Sequence, residues 1–241
     1  MRKLLNNLKM EYDRFVFRLL SEKKYPPGNF KIKIETKCLV LSPYIGAETK
    51  GLGGLIAQYP KNFEVLALTN GSSLVKNVSQ VESINIKQEQ FYNVMKLARV
   101  KGYKIFDINS NTLKDEYKKI SRIDISEADF IFIPNPFDLN PDTLALITHF
   151  KRILKNREYK KTLQILMYES DETLSFPDYY ADISGITTTK KQMLSVYYQN
   201  DQKLITGILG LNKFRAVNLN CDTAECFTRF YVEDFLSLPL I

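Results

Sequence analysis

The sequence predicts a single α/β domain, a mostly parallel sheet with helices on both faces, preceded by a basic amphipathic helix. Three observations carry that expectation. Short continuous apolar runs, the mark of strands buried on both faces, recur along the chain. Segments with apolar residues at spacings of three and four lie between them. No Gly/Ser- or Pro-rich linker divides the 241 residues into two units.

The first element is a helix over residues 3–23. Leu5, Leu8, Tyr12, Phe15, Phe17, Leu19 and Leu20 form its apolar side, with Arg2, Lys3, Lys9, Arg14, Arg18, Lys23 and Lys24 between them, and Pro26-Pro27-Gly28 ends it. Such a helix packs over a domain edge, makes a dimer or partner contact, or lies on a membrane surface. The domain proper is expected over residues 36–241, with 1–28 as the added helix. Cys38–Leu41 is a buried-type strand, and a helix follows from residue 51 to 58. Phe63–Leu68 is the next strand, closed by Asn70-Gly71. A helix over 86–100 leads to a strand at Tyr103–Phe106, and a helix over 112–121 to a strand at Phe130–Ile133, stopped by Pro134. A helix over 141–155 precedes a strand at Leu163–Tyr168. Beyond Pro177 come a helix near 187–200 and a last helix near 222–234.

Composition excludes several function classes. Apolar residues make up 44% and charged residues 25%, as in ordinary soluble domains. The +7 charge arises from 34 Lys+Arg mixed with 27 Asp+Glu, without a run of five like charges, so it describes a solvated basic surface and not a nucleic-acid partner. Three cysteines without a CxxC pair supply neither a disulfide framework nor a thiolate zinc site, and Cys221 and Cys226 read as packing residues. The first apolar residues are interrupted by Asn6, Asn7, Lys9, Glu11 and Asp13, unlike a signal peptide, and no apolar run approaches the ~20 residues of a membrane span. A cytoplasmic protein is expected, with the basic helix as its route to a membrane surface.

In parallel sheets, ligands sit beyond the carboxyl ends of the strands, here the loops after Leu41, Leu68, Phe106, Ile133 and Tyr168. Gly51, Gly53 and Gly54 in the first of them do not form a dinucleotide fingerprint: Ile56 stands where the third glycine belongs, and Asn70 where an acid would close the next strand. These glycines suit a tight turn and close helix–sheet packing. With one histidine, His149, no orthodox Ser-His-Asp or Cys-His system can be assembled.

Five stretches carry a resemblance. Ser42-Pro43-Tyr44-Ile45-Gly46-Ala47-Glu48 leads into the glycines, and Leu68-Thr69-Asn70-Gly71 closes the second strand. Pro134-Asn135-Pro136-Phe137-Asp138-Leu139-Asn140-Pro141-Asp142-Thr143 follows the Phe130 strand. Ala181-Asp182-Ile183 through Lys190-Lys191 and Ala224-Glu225-Cys226-Phe227 come last. In this order they resemble the motifs of the PIG-L/LmbE-like N-acetylglucosaminyl de-N-acetylases. That resemblance implies a Rossmann-like sheet and a zinc-dependent removal of acetyl from amino sugars. It also implies a dismantled catalytic set. The positions of the family's zinc ligands hold Tyr44, Ala47 and Thr143, its general base is replaced by Gly46, and its carbonyl-polarising histidine by Asn140. Methyl and hydrogen neither coordinate a metal nor accept a proton.

Nothing nearby restores the set. His149 lies six residues beyond Thr143, about 240° round the helix, and reads as structural. Glu48, Asp138 and Asp142 offer oxygens to a hard cation, but without a full cage. Asp142 suits the N-cap of the following helix, and Glu48 suits backbone amides of its loop. No metal and no cofactor are expected. The candidate ligand contacts are Tyr44, Glu48, Asn135, Asp138, Asn140 and Thr143, with Lys50, Glu169 and Asp171 at the rim. Three functions are compatible with this pattern. One is a degenerate homologue that binds an amino sugar, glycolipid or other glycan precursor, or supports a glycan-biosynthesis partner. The second is a hydrolase or transferase on an N-acetylated sugar, acting through Glu48, Asp138 or Asp142 without zinc. The third is an interaction protein that self-associates or docks through its N-terminal helix.

Overall fold

β2 (Cys38–Ser42) is apolar at every position but the last and is buried throughout, which fits only a strand with neighbours on both sides and helices on both faces. It pairs in parallel with β3 (Phe63–Ala67) and with β5 (Phe130–Pro134). β4 (Gly102–Ile105) extends the sheet beyond β3, and β6 (Gln164–Tyr168) extends it beyond β5, again in parallel. β8 (Ala224–Tyr231) then runs antiparallel between β6 and β7 (Tyr179–Asp182), and the two-residue β1 (Gly28–Asn29) closes the far edge in parallel with β7. The eight-stranded order is β1-β7-β8-β6-β5-β2-β3-β4. This computed structural model describes Tyr12, residues 28–138 and residues 140–238. The helix expected over residues 3–23 lies outside the described residues, Tyr12 apart.

Among the described residues the helices are α1 (Ala47–Gln58), α2 (Gln80–Leu97), α3 (Tyr117–Ile120), α4 (Pro141–Asn156), α5 (Thr187–Tyr198), α6 (Gln202–Ala216) and α7 (Val232–Ser237). Strand alternation divides the core between two faces. Leu39, Leu41, Ile131, Ile133, Ile165 and Met167 share one cluster with Leu146, Phe150 and Ile153 of α4 and Phe235 of α7. Val40, Phe132, Leu166 and Tyr168 share the other with Leu52 and Ile56 of α1, Phe91 and Val94 of α2, and Met193 and Tyr197 of α5. The α/β class expected from the sequence is therefore the class observed. No described helix is long and apolar enough to cross a membrane.

Several elements depart from expectation. The helix expected at 222–234 is the strand β8 followed by the short α7. Glu225 explains the misreading, because it is a charged residue without solvent. Its carboxylate accepts the backbone N–H of Gly54 and of Leu55, each at 2.8 Å, and the Lys190 ammonium at 2.7 Å. Both side chains of that ion pair are fully buried. β7 is short and went unread, and α6 is a separate helix, begun where Asp201 accepts the N–H of Leu204. The helix expected over 112–121 is a 3-10 turn at Leu113–Asp115 followed by the single turn of α3. Gly51 and Gly54 lie within α1, which begins at Ala47 and not at residue 51. A Cβ on Gly51 would lie 2.3 Å from the Glu169 carbonyl oxygen, and one on Gly54 would lie 2.7 Å from Ile183. These glycines let α1 lie directly against the sheet.

Candidate functional site

The loop from β2 to α1 is short, and Gly46 turns it. Its φ of 103° lies in the left-handed region, and a Cβ there would meet the Tyr198 hydroxyl at 2.6 Å. The Tyr198 oxygen thus fills the space that a side chain at position 46 would take. Two residues on, Glu48 is fully buried. Its Oε2 accepts the N–H of Gly46 at 2.9 Å, and its Oε1 accepts the hydroxyls of Thr49 and Tyr197, each at 3.0 Å. The Ser42 hydroxyl has one hydrogen and two neighbours, the Tyr44 carbonyl at 2.7 Å and Glu48 Oε2 at 3.0 Å. Given to the carbonyl, that hydrogen leaves Ser42 Oγ to accept a proton from Glu48.

Burial, the leading cause, pushes the Glu48 carboxyl above its ordinary value of 4.5. The folded chain therefore keeps this proton at a pH where the unfolded chain has released it. Its contribution to stability is full at low pH and falls as pH rises from about 4.5 through the folded-state value. Asp178, raised by burial from 3.8 to about 6, adds to the same downward slope between those values. Urea midpoints measured as pH rises from about 4.5 are expected to decline less steeply in Glu48→Gln than in the parent. An identical slope in both proteins refutes the assignment.

Tyr44 is buried, and its hydroxyl donates to Asp171 Oδ2 at 2.5 Å. The Lys50 ammonium binds the other oxygen of the same carboxylate and lies 5.4 Å from each of the Tyr44 and Tyr198 rings. Ile45 packs into the apolar cluster with Leu52 and Met193. Tyr44 and Ile45 thus fill the mouth of the loop.

The second loop is equally occupied with itself. Asn135 donates to the Thr173 carbonyl at 2.9 Å and accepts from the N–H of Phe137 at 3.2 Å. Asp138 accepts the N–H of Asn140 at 2.9 Å and the Ser170 hydroxyl at 2.6 Å. Asn140 caps α4 by accepting the N–H of Asp142 at 2.9 Å. The cap is therefore Asn140 and not Asp142. Asp142 turns the other way, to the N–H groups of Asn111 at 2.7 Å and Leu113 at 3.2 Å, and ties down the loop after β4. The Thr143 hydroxyl is buried with no hydrogen-bond partner. His149 is buried against the Leu113 carbonyl, 3.0 Å from its Nε2, and beside the Tyr117 ring.

Of the six expected contacts, Tyr44, Glu48, Asn135, Asp138 and Thr143 are buried, and Asn140 alone is partly exposed. Tyr44 and Asp138 converge on the segment Ser170-Asp171, and Glu48 sits one layer beneath. Sequence reasoning missed Tyr197, Tyr198 and Lys87. Each lies on a helix remote in sequence, and no local pattern marks them as facing this loop. Among the described residues, no group of three His, Cys, Asp or Glu side chains converges as a metal site would need. A cleft of about 320 Å³ opens elsewhere, at the amino ends of β2 and β3, lined by Lys37, Lys61, Asn62 and Glu127.

The whole architecture has solved counterparts. The N,N'-diacetylchitobiose deacetylase from Pyrococcus horikoshii superposes with a TM-score of 0.71 over 85% of this chain and 87% of its own, at 16% identity. This chain shares the fold of that enzyme. The teicoplanin deacetylase Orf2, solved in a zinc-inhibited form, matches with a TM-score of 0.58 over 80% of this chain and 97% of its own, at 11% identity. GalB, the 4-carboxy-2-hydroxymuconate hydratase from Pseudomonas putida KT2440, matches with a TM-score of 0.59 over 81% and 96%, at 14% identity. No family model and no curated protein matches the sequence. At these identities the likeness is one of fold, and the hydratase carries that fold into a different chemistry from the deacetylases. What the deacetylase fold does in this chain has to be argued from the site.

Proposed function

We propose that this chain is a catalytically degenerate form of the de-N-acetylase scaffold, which binds an amino sugar or glycan precursor without hydrolysing it, alone or in support of a glycan-biosynthesis partner. The observation that carries the reading is the Tyr198 hydroxyl, 2.6 Å from where a Cβ of residue 46 would stand. A general base at the turn would need a strained backbone and a displaced Tyr198 ring, so the packing is built around glycine there. Zinc does not fit the donors present either. Tyr44, Ala47 and Thr143 hold the ligand positions, and Glu48 is committed to its own loop. The rival reading, hydrolysis or transfer through Glu48, Asp138 or Asp142, meets the same difficulty. Each of these carboxylates already serves N–H or hydroxyl groups of the protein itself. The binding half of the proposal is supported by the fold shared with enzymes named for N-acetylated substrates, and by the polar rim at Asp171, Ser170 and Asn140.

The purified chain, incubated with zinc and desalted, is expected to retain no metal and to release no acetate from N,N'-diacetylchitobiose. Calorimetric titration with N-acetylated amino sugars is expected to give saturable heat. About one zinc held per chain, or acetate released at any rate above the blank, defeats the proposal.

A further inference from the structure

We propose that Lys50 and Tyr44 form a carboxylate-binding subsite, which Asp171 occupies in the ligand-free chain, so that the ligand is an acidic sugar. This rests on the binding role proposed above and narrows its ligand to a class. The donors are rigid and buried. Lys50 stands in the first turns of α1 with its side chain 8% exposed, and Tyr44 is held in the loop before that helix. The acceptor is neither. The Asp171 side chain is 45% exposed and lies in the connection between β6 and β7. The Tyr44 hydroxyl and the Lys50 ammonium address different oxygens of the one carboxylate, Oδ2 and Oδ1, as two donors fixed around a carboxylate do.

The charges beneath do not balance. Lys87 is buried, bonds through its ammonium to the neutral side chain of Gln90 at 2.8 Å, and lies 5.9 Å from the Tyr197 ring. Among the described residues, no carboxylate lies within ion-pair distance of it. Burial, the main cause, and the nearby charge of Lys50 both lower the Lys87 pKa, while Glu48 acts the other way. Glu48 is itself pushed toward its neutral form, which weakens it as a counter-charge. Lys87 adds positive charge near Lys50, and the donors that meet the carboxylate are Lys50 and Tyr44. The group already seated on these donors is a carboxylate, so a ligand carboxylate replaces like with like. Asp171 is the part free to swing away.

Two sugars test this directly. N-acetylmuramic acid and N-acetylglucosamine share the ring and the acetamido group, and differ by a lactyl ether that carries a carboxylate. By calorimetry, the full chain is expected to prefer the acid by about tenfold. Asp171→Ala removes the competing carboxylate and is expected to tighten binding of the acid about tenfold relative to the neutral sugar. Lys50→Met is expected to erase the preference, with a thermal melt to show that it folds. If it does not fold, Asp171→Ala decides, and a failure to tighten overturns the subsite. Equal affinity for both sugars in the parent and in Asp171→Ala also overturns the subsite but leaves the sugar-binding reading standing. A preference that survives Lys50→Met places the carboxylate elsewhere and overturns it as well. No binding of either sugar by any of the three proteins removes both proposals together.

Discussion

Gly46→Asp, which returns an acid to the turn after β2, is expected to destabilise the chain by roughly 3 kcal/mol and to confer no deacetylase activity. Two costs combine. At a φ of 103° any L side chain is strained, by about 1–2 kcal/mol. The new Cβ also meets the Tyr198 hydroxyl at 2.6 Å, and overpacking of this kind adds about 1–3 kcal/mol. The carboxylate itself would then be buried beside Glu48 and the Tyr197 and Tyr198 rings. Urea midpoints measure the loss. Tyr198→Ala in the same chain is expected to return the overpacking part and not the backbone part. A Gly46→Asp protein as stable as the parent would show that the turn tolerates the acid, and the account of degeneracy built on it would fall.

Lys190→Met is expected to be at least as damaging, by about 3–5 kcal/mol, because it leaves the Glu225 carboxylate in a site with no solvent and no counter-charge. Lys190 also donates to the Lys50 carbonyl at 2.9 Å, so the same change frees a backbone acceptor beneath the candidate subsite. Glu225→Gln in the Lys190→Met background removes the unpaired charge and keeps an oxygen for one of the N–H groups of Gly54 and Leu55, which bond to different carboxylate oxygens. It is expected to recover part of the loss, and a double-mutant cycle in urea isolates that part. A loss under about 1 kcal/mol for Lys190→Met, the range of an exposed pair, would contradict the buried-pair account.

Much of the sheet was legible because its strands are buried on both faces. Cys38–Leu41 and Phe130–Ile133 are continuous apolar runs that fit little else, and both are strands. β8 was not legible because nothing local marks the charged Glu225 as buried. In the fold, Glu225 meets Lys190 and two backbone N–H groups, partners that lie far away in sequence. The candidate site was half legible. Its two loops could be placed from the strand ends, but what faces them could not. Tyr197 and Tyr198 reach Glu48 and Gly46 across about 150 residues, and Lys87 arrives from α2. Helix capping shows the same limit on a smaller scale. Asn140 and Asp142 are both good caps by composition, and only the pull of the Asn111 and Leu113 amides on Asp142 decides between them.

The position of β8 bears on the order in which the chain assembles as it is made. β2, β3, β4, β5 and β6 are contiguous in the sheet and can pair with one another as soon as each emerges. β1, the earliest strand, touches only β7, and β7 reaches the rest of the sheet only through β8, the last strand in sequence. The first strand to be synthesised is thus among the last to be secured, after more than half of the sheet has formed. The β1–β7 pairing joins Gly28 to Tyr179, about 150 residues apart, and such non-local pairing forms slowly. Until residues 224–231 are available, the edge of β6 that β8 covers stands open to wrong pairing.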